Sequence, residues 1–266
     1  MKNYWGMVMD KEIEKTIEKT NKKVALITGA AGGLGQALAL ILANEGYQLI
    51  ITSRDSTRLK DVYGINHLQI TTDCSTVEGA KHIFEVANAH QLVPTAFAHC
   101  VGNIRLGALH RMAEADFTAC LSANLFSAFY TLAAFVGHLK TAKLAGSAVL
   151  VSSAAAQIGT PNHEAIAAAK GGLEGLVRGA AATYASGGIR VNAVAPGLMD
   201  TPAASNLLSS DLTRDMAARQ YPIAGIGNAP DVAHLMAWLL SDQAARVTGQ
   251  IWSIDGGFAS IRPIVK

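Results

Sequence analysis

Lys23-Val-Ala-Leu-Ile-Thr28-Gly29-Ala-Ala-Gly-Gly33-Leu-Gly35-Gln36-Ala-Leu-Ala-Leu-Ile-Leu-Ala43 is the stretch that decides the fold. An apolar run short enough for a buried strand passes through a glycine cluster into a segment of helical period. Glycines at such a turn remove the Cβ atoms that would hold a ligand away from the backbone. The N–H groups and dipole at the start of the following helix favour an anion there. A pyrophosphate is the expected occupant, because the cluster stands directly between a strand and a helix.

Outward from this turn, short β-rich runs alternate with longer Ala-rich segments, the pattern of βαβ units. They predict strands near 23–28, 47–52, 67–71, 95–99, 147–151, 188–194 and 250–254. Helices are expected near 34–45, 75–90, 112–140, 163–186 and 230–241, with residues 199–226 as loop and short helix. No linker rich in Pro or Ser and no internal repeat divides the chain, so residues 22–266 read as a single α/β domain. The expected architecture is Rossmann-type and doubly wound, a seven-stranded parallel sheet with helices on both faces. Residues 1–21 read as an N-terminal extension, a short solvated helix or a frayed arm, from alternating charges and two isoleucines four apart.

Composition removes several classes of function. Of 266 residues, 50% are hydrophobic and 16% charged, which allows a large core and excludes a disordered chain. Twenty-two basic against 20 acidic residues leave a net charge of +2, with no dense Lys/Arg stretch interleaved with aromatics. Nucleic acid is therefore not an expected partner. Apolar runs are broken by Gly, Ser or charge short of the ~20 residues of a membrane span, and the first residues lack a signal peptide's apolar segment. No membrane association is expected. Cys74, Cys100 and Cys120 are odd in number and lack metal-ligand spacing, so no metal site is expected and a reducing cytoplasm fits. Residues 163–186 are rich in Ala and Gly; such small side chains suit packing onto the protein's own sheet or a subunit interface, and a homodimer or homotetramer is expected.

A second nucleotide signal ends the second strand. In Leu49-Ile-Ile-Thr-Ser-Arg54 an acid would bind the adenine-ribose hydroxyls of NAD and repel a 2′-phosphate, but Ser53 and Arg54 stand there instead. A hydroxyl and a guanidinium suit a phosphate, so NADP(H) is preferred over NAD(H). The alternative is that Arg54 is a solvated charge and Asp55 takes the acid's role one residue late.

These residues resemble the short-chain dehydrogenase/reductase family over roughly residues 22–258. Thr28-Gly29-x-x-x-Gly33-x-Gly35 matches its phosphate loop, Asp73 its adenine contact with Cys74 beside it, and Asn124 its helix asparagine. Val149-Leu-Val-Ser-Ser153 matches the strand bearing the active-site serine. Ile189-Arg-Val-Asn-Ala-Val-Ala-Pro196-Gly197 with Thr201, and Thr248-Gly-Gln-Ile-Trp-Ser-Ile-Asp255-Gly-Gly257, match later motifs. The resemblance implies hydride transfer between a nicotinamide and a carbonyl or alcohol. It assigns Gly29, Gly33, Leu34 and Gly35 to the pyrophosphate, Ser53 and Arg54 to the 2′-phosphate, and Asp73 and Cys74 to the adenine. Gly102, Pro196, Gly197 and Thr201 fall to the nicotinamide half, Lys170 to the nicotinamide ribose, Ser153 to the substrate oxygen, and Asn124 to a relay water.

The family's Tyr-x-x-x-Lys pair is broken here. Lys170 is in place, 17 residues after Ser153, but the tyrosine's position holds Ile166, which has no proton to give. Losing a general acid costs about 10²–10⁴ in rate. Pro161-Asn-His163-Glu-Ala-Ile166-Ala-Ala-Ala-Lys170 contains a replacement, since helix residues four and seven apart share a face. His163 is the expected proton donor. The family's enoyl-reductase branch is similar, its tyrosine standing seven residues before the lysine, which brings reduction of a polarised C=C bond into range. The bland reading puts His163 and Glu164 in a first helical turn behind an Asn162 cap. In Ala98-His99-Cys100-Val101-Gly102 the family has asparagines; His99 and Cys100 are expected to tie the sheet together rather than act in a thiol mechanism. The leading reading is an NADP(H)-dependent oxidoreductase acting on a small or medium carbonyl, alcohol or enone. Its rival is a redox-inactive NADP(H)-binding sensor or scaffold. Leu207, Leu208, Met216 and Tyr221 suggest an apolar lid, or equally core contacts.

Overall fold

The computed structural model describes residues 23–262; the extension expected over 1–21 lies outside the described residues. All seven strands form: β1 (Val24–Thr28), β2 (Gln48–Ser53), β3 (Leu68–Thr71), β4 (Ala96–His99), β5 (Gly146–Val151), β6 (Ile189–Pro196) and β7 (Ile251–Ile254). They make one sheet in the order β3-β2-β1-β4-β5-β6-β7, every pair parallel.

Side chains alternate across a strand, and the strands sort their apolar residues accordingly. From β1, Val24 and Leu26 enter a core with Phe97, Phe135, Leu150 and Leu173. Ala25 and Ile27 enter the opposite core with Leu38, Leu49, Val149 and Met236. The first face is covered by α3 (Val77–Ala89), α5 (Ser127–Ala142) and α6 (Glu164–Tyr184), the second by α1 (Gly33–Asn44), α2 (Ser56–Tyr63) and α8 (Ala229–Leu240). The order reverses direction between β1 and β4. In open parallel sheets that switch point leaves a crevice beyond the strands' carboxyl ends.

Three expectations need correction. The helix expected over 112–140 is α4 (Glu114–Leu121) and α5 joined by a π-helical turn over Ser122–Phe126. This run, Glu114–Ala142, is 29 residues and contains an 18-residue stretch of mean hydropathy 1.6, so by length and composition alone one helix is long and apolar enough to cross a membrane. Its Leu132, Phe135 and Leu139 are packed into the first core. Finally, α2 was not expected. It is eight residues long and buries Leu59 alone, too narrow an apolar stripe to be read as periodicity. The segment 199–226 does hold the expected short helix, α7 (Asp211–Ala218).

Candidate active site

The turn after β1 is built as its glycines imply. Gly29 has φ +69°, and a Cβ on it would lie 2.8 Å from the Cys100 backbone. A Cβ on Gly35 would lie 2.5 Å from the Gly29 carbonyl oxygen, so α1 begins pressed against the turn. Gly32 caps α1 without any side-chain bond, leaving the helix's first N–H groups to a ligand. From beneath, the Tyr63 hydroxyl donates to the Ala30 carbonyl at 2.7 Å.

Beyond the strand ends lies a cavity of about 530 Å³. Gly33, Leu34 and Gly35 form one end, with Gly102 from the β4 loop beside them. Pro196, Gly197 and Thr201 line it after β6, and Asn124, Ser153, His163 and Lys170 converge on it from α4–α5, β5 and α6. Gly29 supports the loop from behind rather than lining the cavity. Gly33 faces Thr201, whose Cγ2 would be 3.2 Å from an added Cβ. Ser53, Arg54, Asp73 and Cys74 lie outside the cavity, at the ends of β2 and β3.

Lys170 is 5% exposed and donates to the Val151 carbonyl at 2.7 Å. Burial pushes its pKa down to about 8, against smaller upward pulls from Cys120 and Cys100. A Cβ on Gly102 would meet Nζ at 3.5 Å and the Asn124 Oδ1 at 2.7 Å, so that glycine keeps a slot open beside both. Asn124 sits in the π turn, and its Nδ2 donates to the Cys120 carbonyl at 3.0 Å and to the Asn103 carbonyl at 3.1 Å. Its Oδ1 accepts from Asn103 N at 3.3 Å, leaving one lone pair for a water. Asn103 was missed in the sequence because its partner is 21 residues away and nothing periodic links them.

His163 is not on the helix face that spacing suggested. Asn162 takes a left-handed φ of +62°, and His163 is itself the N-cap of α6, which starts at Glu164. It still lines the cavity beside Ile166 and Lys170. Its Nδ1 lies 2.8 Å from the Pro161 carbonyl oxygen. A carbonyl only accepts, so Nδ1 carries the proton in that bond and Nε2 is left to exchange one. Ile166 is 5% exposed and packs with Cys120, Ala165 and Ala169. Ser153 is extended and its Oγ accepts from Ala155 N at 3.2 Å, which leaves the hydroxyl proton to donate.

His99 is fully buried. Nδ1 lies 2.8 Å from the Thr28 Oγ1 and Nε2 3.0 Å from the Ser127 Oγ, which ties β1 and β4 to α5. Burial, with a smaller push from Lys170, drives its pKa down to about 3, so it stays neutral. Burial lifts the Cys100 thiol to about 12, which removes it as a nucleophile.

At the ribose end Asp55 caps α2, accepting from Arg58 N at 3.0 Å, so its carboxylate is already engaged. Burial acts to raise the Asp73 pKa, but hydrogen bonds from Ser75 and the Arg54 charge outweigh it and hold the carboxyl low. For Cys74 the structure narrows which atoms could meet an adenine. Its thiol is turned into the core, 3.7 Å from the Thr52 hydroxyl, so only its backbone remains available to an adenine. Of the expected lid, Leu207, Met216 and Tyr221 line the cavity, whereas Leu208 is a core contact.

A glycine cradle at a parallel-sheet switch point, with a serine and a buried lysine across the crevice, defines a dinucleotide-binding oxidoreductase. The chain belongs to the short-chain dehydrogenase/reductase family. A family model described as enoyl-(acyl carrier protein) reductase matches residues 29–259. The chain is 34% identical over 257 residues to cis-4-hydroxycyclohexanecarboxylate dehydrogenase of Sinomonas cyclohexanicum, covering 90% of this chain and 98% of that protein. It is 31% identical to cyclohexanol dehydrogenase of Acinetobacter sp. strain SE19, covering 91% and 97%. Among solved structures, ElxO with NADP bound superposes with a TM-score of 0.83 at 26% identity, over 90% of this chain and all of that one.

Proposed function

We propose that this chain is an NADP(H)-dependent oxidoreductase that interconverts a small or medium carbonyl and its alcohol, or reduces an enone, with His163 as the proton-transfer group. One observation carries the reading: Asn124 from the α4–α5 turn, Ser153 from the end of β5, and His163 and Lys170 from the cap and body of α6 line one cavity that ends in the glycine cradle. The cradle fits a dinucleotide, since added Cβ atoms at Gly29, Gly35 and Gly102 would collide with the backbone or side chains around it. A bound nicotinamide supplies or accepts the hydride. Around it, Ser153 donates to the substrate oxygen, and Lys170 holds the ribose and adds positive charge where negative charge develops. His163 gives its Nε2 proton in reduction and takes one in oxidation, with Nδ1 anchored on Pro161. Preference for NADP(H) rests on Arg54 and Ser53 at the end of β2, and on Asp55 being occupied as a helix cap. The NADP-bound structural relative supports it.

Assembly follows from α6. Its inner face packs on the sheet, while Cβ atoms added at Gly171, Gly175 or Gly179 would meet nothing within 4 Å. That bare outer face suits a homodimer or homotetramer contact.

The test compares His163→Ala and Lys170→Ala with the unaltered chain on ketone and enone panels, alongside calorimetry of NADPH binding. His163→Ala is expected to lose about 10²–10⁴ in turnover with cofactor affinity retained. An unchanged rate on every substrate refutes the histidine's role. Ile166, wholly apolar in its packing, favours the second reading of a redox-inactive NADP(H)-binding sensor or scaffold. Tight NADPH binding with no turnover on either panel would establish it.

A further inference from the structure

We infer that the cavity selects uncharged, apolar carbonyl or alcohol substrates and rejects those carrying a carboxylate or phosphate; this rests on the oxidoreductase reading above. Its walls on the substrate side are Ile104, Leu106, Ile166, Leu207, Met216 and Tyr221. The polar groups among them, Asn103, Thr160, Thr213 and Gln220, are neutral. Among the described residues Lys170 is the lining's one Lys or Arg, and it is committed at the glycine end, donating to Val151 at 2.7 Å.

Two arginines sit on the very segments that build the walls, and both are turned away and neutralised. Arg105, between Ile104 and Leu106, pairs with Asp116 at 3.0 Å. Arg214 on α7, beside Thr213, makes a two-pronged bond to Asp200 at 2.6 and 3.0 Å. Neither lines the cavity. The dipole at the N-terminus of α6 is offset by Glu164 in its first turn. His163 must give up and regain a proton in the proposed cycle, so it is no lasting counter-ion. An anionic substituent would leave water for a cavity whose lining, among the described residues, offers it no fixed cation beyond Lys170, a burial that is strongly unfavourable. Apolar groups continue to the mouth, where Met216 is 60% exposed.

The experiment uses a matched pair of ketones, 4-methylacetophenone and 4-acetylbenzoate. Calorimetry at pH 8 first measures NADP⁺ uptake by the full chain, then uptake of each ketone by protein loaded with 1,4,5,6-tetrahydro-NADP, whose nicotinamide ring is uncharged and gives no hydride, and NADPH consumption is followed in parallel. The neutral ketone is expected to bind about 100-fold or more tighter than the carboxylate. Gln220→Arg, which places a guanidinium in the lining, is expected to narrow that gap at least about tenfold by strengthening uptake of the carboxylate. Equal or tighter uptake of 4-acetylbenzoate by the unaltered chain overturns the inference. So does a loaded chain that takes up neither ketone, or a Gln220→Arg variant that binds NADP⁺ yet leaves the gap unchanged. A folded chain that takes up no NADP⁺ overturns the oxidoreductase reading itself, and the inference with it.

Discussion

Replacing Lys170 by Met tests the electrostatics of the site without any substrate. The ammonium is 5% exposed, and burial lowers its pKa from the ordinary 10.5 to about 8. Between those values the unfolded chain binds a proton that the folded chain has released. Stability contributed by this group therefore rises as pH rises from about 8 to about 10.5, and the full penalty applies below 8. A difference of 2.5 pKa units corresponds to about 3 kcal/mol. Between pH 7 and pH 9.5 about 2 kcal/mol of that is relieved. Other groups act in the opposite direction: burial raises the Cys100, Cys74 and Tyr221 pKa values, so folding disfavours their ionisation and stability falls as the unfolded groups lose protons. The comparison must therefore be a difference between two proteins. Urea unfolding of the unaltered chain and of Lys170→Met at both pH values isolates the lysine. The lost bond to Val151 is a constant offset, whereas the stability of the unaltered chain relative to the variant should grow by about 2 kcal/mol from pH 7 to pH 9.5. A relative stability independent of pH would show that Lys170 is hydrated and titrates normally, and would undo the argument that it is held as a desolvated charge.

Arg54→Asp should reverse coenzyme choice, weakening NADPH by about 10- to 100-fold while NADH binding is kept or improved, because the charge facing a 2′-phosphate changes sign. Paired titrations read this, and an unaltered preference would remove Arg54 from the ribose site. Gly35→Ala places a methyl 2.5 Å from the Gly29 carbonyl and 2.7 Å from the Ala30 Cα. It should cost about 1–3 kcal/mol in urea unfolding and loosen dinucleotide binding together, since the same backbone must move for both. Glu174, 8% exposed, accepts from the Ser152 hydroxyl at 2.9 Å and the Gln157 amide at 3.4 Å. Glu174→Ala should cost about 1–3 kcal/mol and shift kcat more than KM, with Glu174→Gln recovering most of both, because Ser152 adjoins Ser153.

The parts of this protein that were legible from sequence are those whose physics is local. Strand β1, the glycine turn and α1 follow from an apolar run, φ-permissive residues and a helical period within some twenty positions. The parts that were not legible depend on partners far along the chain. Asn103 matters because Asn124 holds it, and Arg105 and Arg214 are inert toward the cavity because Asp116 and Asp200 take their charge. Helix α2 buries Leu59 alone, so no apolar stripe announces it.

His163 lies between these cases. Spacing correctly brought it to the side of Lys170, but on a helical face, whereas a left-handed Asn162 makes it the cap. The difference has chemical content. A residue inside the first turn would be held by its helical backbone alone. A cap residue whose Nδ1 bonds the Pro161 carbonyl has its ring fixed in orientation and tautomer by the loop that precedes the helix. Ile166 could not inherit the tyrosine's work, since it fills the apolar contact with Cys120 and Ala169. On the proposed oxidoreductase reading a proton-bearing group has to enter from off the helix, and the cap residue His163 lines the same cavity.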